Sequence, residues 1–142
     1  MASLRFPSPA VPLLALCKGH NEDFVFRTYA DLIGFLAAYG YQLSSQEGHR
    51  LATKVEFVNV PNAIPTEVFE NRGLFANFLI IALASDDHAT LSKDDDALAK
   101  YIERLAALGA EQICAHMPMG EFQAKVDFLA SLLTRELSTN QI

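Results

Sequence analysis

Cys114-Ala115-His116 is the nearest approach to a catalytic pair in this chain, because an imidazole close to a thiol can draw off its proton and leave a nucleophilic thiolate. The spacing works against that role. Residues two apart on a helix point in different directions, and free cysteine is among the most buried residue types, so a buried thiol beside a surface histidine is the competing reading. Asp86-Asp87-His88 offers two carboxylates and an imidazole to a divalent metal, but no further ligands follow at an HxxxH or ExxH spacing, and Asp is an ordinary turn former. The chain has no G-x-S-x-G, no phosphate loop and no dinucleotide fingerprint; Gly34, Gly40 and Gly48 are isolated. The expectation is therefore a protein without catalytic, cofactor-binding or metal-ligating residues.

The remaining candidates are surface contacts. Eleven Lys and Arg against 17 Asp and Glu give a net charge of −6, the wrong sign for a surface that tracks phosphates. Residues 1 to 74 hold 6 basic and 7 acidic side chains, whereas residues 75 to 142 hold 5 and 10. In the near-neutral half, Arg50, Lys54 and Arg72, with Arg27, could form a basic patch for DNA contact; in the acidic half, Lys100, Tyr101 and Arg104 form a candidate interaction surface. Lys100 and Arg104 are like charges at i and i+4, an arrangement that suits an acidic partner surface. Tyr39, Tyr41 and Tyr101, near helix ends, are either core aromatics or interface anchors.

These groups must be held by a chain of 142 residues, 51% hydrophobic and 20% charged, which suffices for one compact domain with its own core. Two cysteines without a CxxC spacing suit a reducing compartment. The stretch Val11-Pro12-Leu13-Leu14-Ala15-Leu16-Cys17 imitates a lipoprotein signal, but Pro7, Pro9 and Pro12 interrupt it and Leu16 stands where cleavage wants a small side chain. The apolar run Leu79 to Ala84 falls well short of the roughly 18 residues that a membrane span needs. A cytoplasmic protein is the expectation.

Along the chain, the prolines of residues 1–20 predict an extended or mobile arm. Asn21-Glu22-Asp23 then read as the cap of a first helix with Val25, Tyr29, Leu32, Leu36 and Tyr39 on its stripe and Gly40 as its C-terminal stop. Lys54 to Val60 alternates and predicts a strand, with Ile64 to Phe69 as either a returning strand or the start of a helix at Pro65-Thr66. Leu74 to Ser85 is apolar almost throughout and reads as a central helix buried nearly all round, a buried strand being its rival. Ser92 with Asp95 predicts a capping box for a helix whose stripe is Leu98, Ile102, Leu105 and Leu108, with Lys100, Glu103 and Arg104 facing water. Gly109 should end or kink it, leaving Ala110 to His116 as a short continuation. A last amphipathic helix, Glu121 to Leu137, carries Phe122, Val126, Leu129, Leu133 and Leu137, and residues 138–142 should fray. The expected fold is mainly α: a single-domain bundle of four to five helices over residues 21–137, with room for a small β-hairpin near residues 54–69.

One resemblance adds context. Phe26 to Tyr41, containing Leu32-Ile33 and Ala37-Ala38-Tyr39-Gly40-Tyr41, is followed in order by Ile64-Pro65, Val68-Phe69-Glu70-Asn71, Leu79-Ile80, Ala82-Leu83-Ala84, Tyr101-Ile102-Glu103 and Ala107-Leu108-Gly109. This pattern, over about residues 24 to 113, resembles the DNA phosphorothioation-associated protein 4 family, encoded beside bacterial DNA sulfur-modification and restriction systems. The resemblance implies a cytoplasmic accessory or regulatory subunit in anti-phage defence, with protein subunits of a modification or restriction complex as partners, and it transfers no site residues. The alternatives are a DNA-binding regulator using the Arg50, Lys54 and Arg72 region, an enzyme built on Cys114 and His116 or on Asp86-Asp87-His88, and a homodimer through the apolar helices, which is compatible with the accessory role.

Overall fold

Two helices whose backbones touch form the centre of the molecule. In a computed structural model describing residues 2–20, 22–45, 50–51, 54–85, 88–91 and 93–140, with the side chains of residue 88 and residues 133–140 outside the description, α1 is Tyr29–Ser44 and α5 is Asp95–His116. Thr28 caps α1 by accepting the Asp31 N–H at 3.1 Å, and Asp31 adds a negative charge in the first turn, where the helix dipole favours it. Asp94 caps α5 by accepting from the N–H groups of Asp96 and Ala97, and Asp95 and Asp96 fill its first turn. The predicted cap at Ser92 lies outside the described residues. Leu98, Ile102, Leu105 and Leu108 are buried along α5 as their spacing predicts, and the first three share one hydrophobic cluster with Leu32, Ile33, Leu36 and Ala37 of α1, the helix α5 packs against.

Gly40 and Gly109 stop neither helix. Both lie inside continuous helices, at the crossing: a Cβ on Gly40 would come within 1.9 Å of the Leu105 carbonyl oxygen, and one on Gly109 within 2.3 Å of the Leu36 carbonyl oxygen. A helical glycine costs about 1 kcal/mol of propensity relative to alanine. Close contact between the two backbones and their burial offset that cost, and the second half of α5 runs on to His116 without a break.

The expected N-terminal arm is instead part of the core. β1 (Ser3–Leu4) pairs antiparallel with β4 (Ile64–Pro65), and β2 (Phe6–Pro7) pairs antiparallel with β3 (Phe57–Val58). Strands therefore form within residues 54–69, but their partners are residues 3–7 rather than each other. Residues 59–63 bulge out between the two pairings, with Val60 in water. Ser8–Leu16 then winds as a 3-10 helix, whose three-residue repeat stacks Ala10, Leu13 and Leu16 on one buried face against α5. Proline fixes φ near −65°, which suits a 3-10 turn as well as an extended chain, and this is why the prolines misread as an arm. The chain folds back through Cys17 and Phe26, with the Lys18 N–H donating to the Phe26 carbonyl at 2.9 Å, so that the first α-helix begins at Thr28–Tyr29 rather than at Asn21.

Three smaller helices follow: α2 (Thr66–Asn71), α3 (Phe75–Leu83) and α4 (His88–Leu91). Phe69 of α2 and Phe78 of α3 meet with ring centroids 5.2 Å apart, and Gly73 makes the turn between the helices at φ 74°. The segment read as a helix buried nearly all round is helical, as expected, but peripheral. Phe78, Ile81 and Ala82 face inwards, whereas Ile80 and Leu83 are 64% and 62% exposed. α6 (Phe122–Asn140) buries Leu129 and Leu132 and continues beyond Leu137. The predicted contacts of Leu133 and Leu137 lie outside the described side chains. The molecule is mainly helical with small antiparallel pairings, and one hydrophobic cluster runs from Ala2 to Leu132.

The crossing predicts that Gly40→Ala and Gly109→Ala each lower the unfolding free energy by about 3 kcal/mol, because backbone atoms must move apart to admit a methyl group. Gly34→Ala meets only the Leu74 side chain, at 3.2 Å, and should be near neutral in the same urea titration. Equal midpoints for all three variants would contradict the tight crossing.

Candidate functional site

Glu103 lies on the inward face of α5, in line with Ala99, Ala106 and Ala110, and only 3% of it reaches solvent. The expectation that it faces water is overturned. Small neighbours leave space for a carboxylate, and Arg5 fills the remaining valence: its backbone N–H donates to Oε2 at 2.6 Å, its Nε to Oε2 at 3.1 Å and its Nη2 to Oε1 at 3.0 Å. Arg5 sits between β1 and β2, and its guanidinium carbon lies 3.7 Å from the centroid of the Phe57 ring on β3. The hydrogen bond to Glu103 raises the Arg5 pKa. This pair therefore clasps the N-terminal ribbon to the central helix; a carboxylate so occupied is not a free general base.

Lys100 is exposed and shares an open cleft with Ser3, Arg5, Asp96 and Glu103, so the local charges balance. Tyr101 and Arg104 are half-buried, and Tyr101 packs against the core, as do Tyr39 and Tyr41. Of the basic candidates, Arg72 donates to both carboxylate oxygens of Asp31, with Nε at 2.8 Å from Oδ1. Lys54 lines a cleft with Glu56 and Glu111, and Arg50 is exposed on a separate stretch of chain. Arg72 thus ties α2 to the start of α1. Burial pushes the Asp31 carboxyl up, but hydrogen bonds from Arg72 and Thr28 outweigh this and hold it below its ordinary value. A depressed carboxyl stabilises the fold above its unfolded pKa, and that contribution is lost as the pH falls through the folded one.

The thiols are not activated. Cys17 is fully buried, and desolvation, with the nearby Asp31 charge, raises its pKa from 9.0 to about 11. Burial also raises Cys114, whose Sγ lies 3.5 Å from the Pro9 carbonyl, while His116 is exposed at the end of α5. Asp86 and Asp87 and the His88 side chain lie outside the described residues. Among the described residues no group of three His, Cys, Asp or Glu is placed to hold a metal, and no helix is long and apolar enough to cross a membrane.

Sequence reasoning missed Ile80 and Leu83, because an all-apolar run does not show which face is covered. The burial of Glu103 had a signal: it falls three and four residues from Ala106 and Ala99, on a stripe of small side chains.

Two measurements test these assignments. Glu103→Ala should lower stability by about 1–2 kcal/mol, since the half-exposed Arg5 guanidinium can turn to water while its backbone N–H loses its acceptor, and Glu103→Gln by less, in urea unfolding; an unchanged midpoint for Glu103→Ala would reduce the clasp to a surface pair. At pH 8 the folded protein should label at Cys17 about a hundredfold more slowly than free cysteine does. Because the folded state holds that proton to about pH 11 and the unfolded chain releases it near 9, the stabilisation is complete below pH 9 and disappears as the pH climbs through 11. Labelling of Cys114 at the free-thiol rate would revive the nucleophile reading. The chain matches no protein-family model, no curated protein and no solved structure.

Proposed function

We propose that this chain is a non-catalytic accessory protein of a bacterial, cytoplasmic DNA phosphorothioation-linked defence system, acting through contact with modification or restriction subunits. The observation that carries the reading is the pair Ile80 and Leu83, two large aliphatic side chains left mostly in water three residues apart on α3. Neighbouring apolar side chains in solvent favour burial against a partner. Their context supports the role: Glu103 and Asp31 are engaged by Arg5 and Arg72, the thiols keep their protons, and the ordered motifs of residues 24 to 113 supply the resemblance to the phosphorothioation-associated family. The DNA-binding alternative is less favoured, because Arg72 is bound to Asp31, Lys54 lies beside Glu56 and Glu111, and the net charge is −6.

The test is affinity capture of the tagged chain from its native host at low and moderate salt, with the co-purifying proteins identified. Sulfur-modification or restriction subunits should be recovered, and an Ile80→Asp/Leu83→Asp variant should recover about tenfold less while unfolding at an unchanged temperature. Recovery of the chain alone, or only with nuclease-sensitive DNA, would overturn the proposal.

A further inference from the structure

The N-terminal ribbon and the first turns of α5 flank an open cleft of about 310 Å³, lined by Ser3 and Arg5 from the ribbon and by Asp96, Ala99, Lys100 and Glu103 from the helix. Glu103 is buried and takes three hydrogen bonds from Arg5, so it is engaged within the chain. Arg5 is only partly used. Its Nε and Nη2 face Glu103, whereas Nη1, with two N–H groups, has no partner among the described residues, and the side chain is 51% exposed. Asp96 and Lys100 are exposed and stand four residues apart, a helical spacing that sets Cβ atoms about 6 Å from each other. Among the described residues neither makes an ion pair, and both line the cleft. Asp94 is the residue that caps α5, so the Asp96 carboxylate is not needed there.

This arrangement of charge selects a ligand. A lone anion would meet Lys100 and Arg5 with Asp96 beside it, in a chain of net charge −6; a lone cation would meet Asp96 with Lys100 and Arg5 beside it. A small molecule with both charges close together satisfies the two sides at once. The volume sets its size, because the cleft lies at the lower end of the roughly 300–1,000 Å³ of small-molecule sites. Ala99 supplies the apolar part of the lining, which suits a short side chain.

We propose that this cleft binds a free small α-amino acid, its carboxylate held by Lys100 Nζ and Arg5 Nη1 and its ammonium by the Asp96 carboxylate, with the Ser3 hydroxyl as a further hydrogen-bonding group. Ser3 and Arg5 belong to the ribbon and Asp96 and Lys100 to α5, so the ligand spans the junction that the Arg5–Glu103 clasp also spans, and its binding favours the folded state. The inference goes beyond the accessory role and uses neither Ile80 nor Leu83.

An NMR titration of the ¹⁵N-labelled full chain tests it with three probes: L-alanine, N-acetyl-L-alanine, which keeps the carboxylate but has no ammonium, and L-alaninamide, which keeps the ammonium but has no carboxylate. L-alanine should shift the amide signals of Ser3, Arg5, Asp96 and Lys100 saturably, with a dissociation constant on the order of 1 mM. The two analogues should bind about tenfold more weakly or less, because each leaves one side of the cleft unpaired. Lys100→Met and Asp96→Asn, whose spectra also report that they remain folded, should each weaken L-alanine about tenfold, whereas Lys125→Met on α6 should leave it unchanged. Absence of a saturable shift with L-alanine would overturn the proposal. So would shifts centred elsewhere in the chain, undiminished binding by Lys100→Met or Asp96→Asn, or an analogue that binds as tightly as L-alanine, which would mark a simple site for one charge.

Discussion

The contact between the backbones of α1 and α5 at Gly40 and Gly109 sets the geometry on which the remaining elements depend. Removing both Cβ atoms lets the Leu105 and Leu36 carbonyls sit where side chains would otherwise hold the helices apart. Leu32, Leu36, Ile102 and Leu105 are then fully buried. With α1 and α5 so close, the small residues of α5, Ala99, Ala106 and Ala110, are left to receive other parts of the chain, and the N-terminal segment supplies them.

That segment is held by polar as well as apolar means. The 3-10 helix presents Ala10, Leu13 and Leu16 to α5, and Arg5 reaches Glu103 through both backbone and side chain. An ion pair whose carboxylate is buried while its guanidinium stays half exposed contributes little net stability, because desolvating Glu103 offsets much of the attraction. Its effect is one of register. Three donors converging on one carboxylate hold Arg5 between β1 and β2, and so fix how residues 3–7 meet residues 57–65.

The same accounting bears on function. Arg5, Arg72, Asp31 and Glu103 make internal contacts, and the two thiols are shielded by burial. The face of α3 differs: Ile80 and Leu83 remain mostly in water. Reading the protein as one that works by contact rests on that difference, since a carboxylate saturated with hydrogen bonds gains nothing from a substrate whereas an exposed aliphatic pair gains from being covered.

How much was legible from residues alone follows the range of the interactions. Helical periodicity located α1, α5 and α6, because it depends on neighbours three or four positions away. The net charge and the lack of a recognisable catalytic motif likewise required no coordinates. The tertiary structure alone decided that Gly40 and Gly109 are points of contact rather than helix ends, since a glycine's missing Cβ matters according to what approaches it. It also decided that Glu103 is buried, as its partner lies 98 residues away, and that α3 is open on one side. Local sequence specifies which face of an element can be apolar; only the packing of distant elements determines which face is covered.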